Sequence, residues 1–280
     1  SNIAIRSIGK NKSDIKGRVI FVEGEIGVGK TTLIEQVNVS NSKKCWFLWG
    51  KADCFHSITP QRYIVWRQLF LSFQARYSFL IPSHRQKLLS YLKLRLPKLF
   101  KFAFLLREVI DVVGTVSDID DSLLEDEFRL NPRLIKTSKL NATQIDRYRH
   151  DLIICVLEWA GKIKPICLVI DEMQFLCPSD RKLTRRATAL VHGGLVKNII
   201  LILGSKPMDN PRYTPFFMPK KIIKDYKTLK HEYAHILVEP RLWTIDKTKF
   251  FIKKYLDVGM VSERLAKTIH SQCGGRPGFC

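Results

Sequence analysis

Residues 21–32, "FVEGEIGVGKTT", decide the fold. The apolar run "RVIFV" that leads into them is β-branched and reads as a buried strand, and "TTLIEQVNV" that follows reads as a helix. Between the two, Gly24-Glu25-Ile26-Gly27-Val28-Gly29-Lys30-Thr31 completes the pattern G-x-x-x-x-G-K-[ST] in the strand-to-helix setting it requires. Glycines let the backbone fold back and aim N–H groups at phosphate oxygens, and the helix that begins near Lys30 adds its positive end. In such a loop Lys30 reaches the β- and γ-phosphates and the Thr31 hydroxyl ligates Mg²⁺, with Thr32 beside it a further nucleotide-binding candidate. A glycine-rich turn with no ligand is the alternative, and the Lys-Thr ending argues against it.

Working outward, the chain alternates strands and helices. "CWFLWGKAD", "PICLVIDE", "NIILILGSK" and "AHILVEP" read as further strands, each apolar almost throughout. "PQRYIVWRQLFLSF" reads as a helix opened by Pro60, residues 82–109 as mostly helical, and 111–140 as an acidic irregular connection. "NATQIDRYRHDLIICVLEWAGK" reads as an amphipathic helix with Ile145, Tyr148, Leu152, Cys155 and Trp159 on one face, and residues 178–195 as a basic helix. Helices over 244–258 and 261–273 close the chain. Apolar strands alternating with helices predict an α/β fold with a mainly parallel, helix-covered sheet, whose ligands bind at the carboxyl ends of the strands.

Two strand ends carry candidate chemistry at that rim. "CLVIDEMQ" places Asp171 and Glu172 after four apolar residues. Asp171 would hold Mg²⁺, which takes few carboxylates and keeps several waters, while Glu172 would orient an attacking water. An Asp-Glu pair suits attack by water on a γ-phosphate, whereas a small-molecule kinase needs a base aimed at a substrate hydroxyl. The competing reading is a pair that caps the following helix. "IILILGSKP" ends with Ser205, Lys206 and Pro207, where Lys206 would sense a γ-phosphate; a solvated lysine is the plainer reading. "CGGRPGF" near the C-terminus is, taken alone, a Gly-then-Pro helix stop.

Composition bounds the rest. The 280 residues are 45% hydrophobic, enough for a packed core. No apolar run spans a bilayer, since "LFKFAFLL" is interrupted by Lys101, and the polar, basic start lacks a signal sequence, so a cytoplasmic location is expected. Seven cysteines without a CxxC pair predict reduced, mostly buried thiols rather than a zinc site. The net charge of +21 is attractive to nucleic acid or another acidic partner, but it is diffuse. The basic residues of 85–107 and the acidic ones of 111–127 read as solvated faces.

Taken together, "VIFVEGEIGVGKTTLIEQ", "GKADCFHSITPQRYIVWRQLF", "CLVIDEMQFLCPSD", "LILGSKP" and "SQCGGRPGF" make the chain resemble the signal-transducing, AAA-related P-loop (STAND) ATPases. The resemblance is nearest to the ATPase region behind the cyclase domains of soluble (type 10) adenylyl cyclases. It implies a P-loop core over residues 1–240 with a helical insertion around 82–140, and the start of a helical lid over 241–280. It also implies ATP and Mg²⁺ as ligands, Lys206 in the place of a sensor arginine, and Pro277, in Gly275-Arg276-Pro277, near the adenine. Lysine lacks the rigid two-pronged fork of arginine. The function implied is a slow, regulatory ATPase whose partners are other domains of a longer chain, in a cyclase-like parent through cyclic AMP made elsewhere. The start at Ser1 and the end at Cys280 inside the last motif fit an excised piece. A DNA-associated initiator-type ATPase and a non-hydrolysing ATP-binding scaffold are the alternatives; no DNA-binding motif is readable, so nucleic acid is not favoured.

Overall fold

A computed structural model describes residues 16–55, 61–77, 81–110, 140–208 and 219–279. Pro60, the acidic connection over 111–139 and Cys280 lie outside the described residues.

Five strands form one parallel sheet: β1 (Arg18–Glu23), β2 (Trp46–Lys51), β3 (Ile166–Asp171), β4 (Ile199–Ser205) and β5 (Ile236–Val238), in the spatial order β2-β3-β4-β1-β5. β3 and β4 are buried at every position, which is why their sequences show no polar alternation. The register puts Glu23 beside Ser205 and Lys51 beside Asp171, so the polar ends of four strands share one rim.

Helix α1 (Lys30–Asn41) follows β1 across the loop 24–29, as the sequence predicts. Helix α2 (Ile64–Gln74) starts four residues later than Pro60 would have set it, after Tyr63 in a left-handed conformation. Its start is fixed from across the core. The carboxylate of Asp180, itself fully buried, accepts from the backbone N–H of Trp66 at 3.1 Å and of Val65 at 3.3 Å. A buried carboxylate is tolerable there because the free N–H groups and the positive end of the helix face it. Trp66, Phe70 and Phe73 then bury completely, and loss of one such ring costs about 3–5 kcal/mol.

Helix α3 (Pro82–Arg95) and a 3₁₀ segment (Ala103–Glu108) pack on α4 (Ala142–Ile163), and a single turn (Pro97–Phe100) packs on α3. α4 opens with a reciprocal cap: the Asn141 side chain accepts from Gln144 N–H, and the Gln144 side chain accepts from Asn141 N–H. The one-faced reading of α4 is corrected here. Leu152 to Leu157 are buried without a break, because the helix lies between the sheet and the 82–108 segment. The basic run 85–107 is likewise only half solvated. Leu88, Leu92 and Leu106 are buried, Arg95 pairs with Glu158 of α4 at 3.4 Å, and Lys93 and Lys101 lie over the Phe100 and Phe102 rings.

Helix α5 (Pro178–His192) covers the same face. Helix α6 (Lys220–Lys227), which runs on as a π-helical turn over Thr228–Tyr233, was not anticipated; its four lysines hide a short apolar face. Tyr226 from that face meets Phe21 of β1 edge-on at 5.5 Å. Helices α7 (Ile245–Tyr255) and α8 (Glu263–Cys273) pack on each other around a small apolar cluster of their own, Ile252, Val261 and Ala266. Cys45, Cys155, Cys167, Cys177 and Cys273 are buried thiols, and Cys54 is an exposed one. Among the described residues no helix is long and apolar enough to cross a membrane.

Candidate functional site

The phosphate loop runs from the end of β1 to Lys30, which begins α1. Gly29 has φ +93°, a left-handed conformation that a side chain would strain, and it turns the chain into the helix. The Lys30 ammonium donates to the carbonyls of Gly24 at 2.9 Å and Glu25 at 3.0 Å, and lies 3.9 Å from a Glu172 carboxylate oxygen. Lys30 is only 4% exposed. Burial pulls its pKa below the ordinary lysine value, the Glu172 and Asp171 carboxylates oppose that, and the Lys206 charge adds to it.

From β3, Asp171 reaches the same place. Its Oδ2 accepts from the Thr31 hydroxyl at 2.7 Å and its Oδ1 from the backbone N–H of Glu172 at 2.9 Å. Asp171 is fully buried, and the space for its carboxylate is left by Gly204 of β4: a Cβ there would stand 2.6 Å from Oδ1. Glu172 takes a left-handed conformation, φ 55°, which turns its side chain out of the strand direction toward Lys30. The helix-capping alternative for the Asp171-Glu172 pair does not hold. A 3₁₀ turn, Met173–Phe175, intervenes, and α5 is capped by Cys177, whose sulfur accepts from Asp180 N–H at 3.4 Å.

These groups border a cleft of about 720 Å³. All of residues 26–32 line it, with Glu172, Pro277 and Gly278. Gly24, Glu25, Asp171 and Lys206 are not in its wall: Asp171 lies beneath it, and the Lys206 ammonium sits over the Phe175 ring at 5.4 Å. The predicted phosphate, metal and water-orienting residues therefore gather at one rim, and Lys206 stands at its edge.

The terminal loop closes the cleft. Gly278 N–H donates to Gly27 C=O at 2.7 Å, the Arg276 guanidinium pairs with the Glu25 carboxylate, and Phe279 packs on Gly27. Pro277 faces Gly29, where a Cβ would meet it at 3.6 Å. Sequence reasoning placed Pro277 here but missed the Arg276–Glu25 pair. It also missed Pro240, Arg241, Trp243 and Phe251, which line the cleft as well. No motif marks those four; Pro240, Arg241 and Trp243 come from the segment between β5 and α7, and Phe251 from α7.

The donor set suits Mg²⁺ and a triphosphate. The Thr31 hydroxyl and one Asp171 carboxylate oxygen converge within hydrogen-bond distance, leaving further positions for phosphate oxygens and water, which is how Mg²⁺ is usually held. Among the described residues no group of three or more His, Cys, Asp or Glu side chains gathers as an all-protein metal cage would need.

Comparison with known proteins agrees with this geometry. A family model described as AAA ATPase domain matches residues 9–202. No curated protein matches the chain. Among solved structures, VirB4 of Thermoanaerobacter pseudethanolicus aligns at 15% identity and a TM-score of 0.24, over 90% of this chain and 75% of that one. That score is too low to carry an argument.

Proposed function

The chain belongs to the AAA ATPase domain family and carries an ATP-binding ATPase module, and from that premise we propose that the module is a regulatory switch within a larger signalling protein. In this reading the phosphate loop and the Lys30 ammonium hold the triphosphate, and Thr31 and Asp171 hold Mg²⁺. Bound Mg²⁺ would neutralise charge developing on the β- and γ-phosphate oxygens. Glu172 orients a water whose oxygen bonds to the γ-phosphorus as the bond to the bridging oxygen breaks, giving ADP and phosphate. Lys206 senses the γ-phosphate from the end of β4.

One observation carries the switch: residues 276–279 rest directly on the phosphate loop through Gly278–Gly27 and Arg276–Glu25. Residues 241–280 act as a lid, begun here by α7 and α8, which have their own small apolar cluster. A nucleotide that rearranges the loop must therefore move the lid's last segment or be clamped by it. The coupling energy of such devices is commonly about 1–3 kcal/mol. The resemblance read in the sequence to the ATPase regions of soluble adenylyl cyclases is what suggests a regulatory use, with cyclic AMP made by domains outside these 280 residues. The partners of the switch are then other parts of the same longer chain.

Single-turnover γ-phosphate release, followed together with Trp243 fluorescence, tests this reading. Slow release, abolished by Lys30→Ala and by Glu172→Gln, with a fluorescence change that differs between MgATP and MgADP, is expected. Binding with no release would favour a passive scaffold, and identical fluorescence for the two nucleotides would remove the switch. Retention of DNA with an affinity that falls steeply with salt would instead support the initiator-type reading.

A further inference from the structure

Gln174 lies two residues beyond Glu172 in the 3₁₀ turn Met173–Phe175, buried to 3% and outside the wall of the nucleotide cleft. Its side-chain amide joins two strand ends. The NH₂ group donates to Glu172 Oε2. The amide oxygen accepts from the Ser205 hydroxyl at 3.3 Å and from the Lys206 backbone N–H at 3.4 Å. The Ser205 hydroxyl also lies 2.9 Å from the Lys206 carbonyl, so it is held at the end of β4 whichever acceptor it serves.

Only a neutral amide fits this place. A donor must face the Glu172 carboxylate, and an acceptor must face a hydroxyl and an N–H. A flipped amide would set oxygen against carboxylate and NH₂ against N–H, so the partners on both sides fix one orientation. In a buried position each unmade bond costs about 1–3 kcal/mol. The bridge is therefore stiff, and it connects the residue proposed to orient water with the backbone of the residue proposed to sense the γ-phosphate.

We propose that Gln174 is a positioning residue for hydrolysis: it holds the Glu172 carboxylate and ties it to the end of β4, so that the state of Ser205 and Lys206 is passed to the water-orienting group. The proposal deepens the hydrolytic reading above and rests on it.

The test measures kcat and, by calorimetry, MgATP affinity for the parent chain, Gln174→Leu, Gln174→Glu, Ser205→Ala and the Gln174→Leu/Ser205→Ala pair. Gln174→Leu should lower kcat by roughly 10-fold or more while the MgATP Kd stays within about 3-fold, as loss of an alignment felt only at the reaction requires. Gln174→Glu, nearly isosteric, sets a carboxylate against the Glu172 carboxylate and should likewise lower kcat by roughly 10-fold or more with the MgATP Kd within about 3-fold. Ser205→Ala should add little to Gln174→Leu, since both act through one bridge. Parental kcat in Gln174→Leu or in Gln174→Glu overturns the proposal. Should Gln174→Leu fail to fold by circular dichroism, the split between kcat and MgATP Kd in Gln174→Glu decides alone. A parent that binds MgATP without turnover sinks this proposal and the hydrolytic reading together, whereas parental turnover with an unmoved Gln174→Leu sinks this one only.

Discussion

The Thr31 hydroxyl donates to Asp171 Oδ2 at 2.7 Å across 140 residues of sequence, from the first turn of α1 to the last residue of β3. This bond places a hard oxygen pair at the mouth of the phosphate loop. A hydroxyl and a carboxylate meeting there need only exchange their shared proton contact for a cation to become its ligands.

Asp171→Asn keeps an oxygen for Thr31 and removes the charge. The affinity for ATP should then lose its dependence on Mg²⁺, while binding of ATP in the presence of a chelator stays near the parental value. Calorimetric titration with and without Mg²⁺ checks this; a parental Mg²⁺ dependence in the variant would remove Asp171 from the metal site. Lys30→Ala, which deletes a charged donor aimed at the loop carbonyls in the free protein, should weaken ATP binding by about 10- to 100-fold, the equivalent of about 1.4–2.7 kcal/mol.

Gly204 offers a test made without touching Thr31 or Asp171. A Cβ at that position would press to 2.6 Å of Asp171 Oδ1, a contact that real Cβ atoms do not make. Gly204→Ala must push Asp171 or split β3 from β4. We expect a loss of stability of about 1–3 kcal/mol, as overpacking usually costs, and a loss of Mg²⁺-dependent binding beyond what stability explains. A variant that melts and binds as the parent does would show that the strands relax freely there.

Much of this was readable in advance, for identifiable reasons. The strands were legible because a sheet covered on both faces must be apolar throughout, and "CLVI" and "IILIL" leave no other reading. The phosphate loop was legible because only glycine suits φ +93° at Gly29, and Lys30 and Thr31 follow at fixed spacing. Pro60 misled because α2 takes its start from Asp180, more than a hundred residues away, a tertiary cap that no local pattern announces. α6 was missed because its surface is nearly all lysine, although Tyr226 and the buried Lys230–Glu23 pair at 2.7 Å anchor it firmly. Gln174 stood in plain view in "DEMQ", but beyond its neighbour Glu172 its partners Ser205 and Lys206 come from the end of β4, and spacing alone gives it no role.

The pair Arg276–Glu25 joins the terminal loop to the phosphate loop, yet both side chains remain about a third to a quarter exposed. Water and salt weaken such a pair, so its coupling should be modest, on the order of 0.5 kcal/mol in a double-mutant cycle of Glu25→Ala and Arg276→Ala. The cycle, read from urea midpoints, should shrink further in 1 M NaCl, at which the screening length is roughly 3 Å. A coupling that survives high salt would assign the contact to packing by Phe279 and Pro277 rather than to charge.

His150 supplies a pH dependence remote from the nucleotide. Its ring is 5% exposed, its Nε2 lies 3.1 Å from the Tyr63 hydroxyl, and its pKa is lowered from 6.5 to about 4. Burial is the main cause; the charges of Arg186, Arg149 and Lys182 act in the same sense, and Asp146 opposes them. Below about pH 6.5 the unfolded chain takes up a proton that the folded chain refuses, so the unfolded state binds more protons and stability falls as pH falls. The loss should build between pH 6.5 and 4 and reach on the order of 3 kcal/mol, after which the folded ring is protonated as well. His150→Gln keeps a hydrogen-bonding group near Tyr63 and does not titrate, so its stability should vary less over this window. Urea midpoints at pH 7 and pH 5 compare the two proteins: the gap between parent and variant should narrow at pH 5, and equal slopes would mean that another group carries the acid sensitivity.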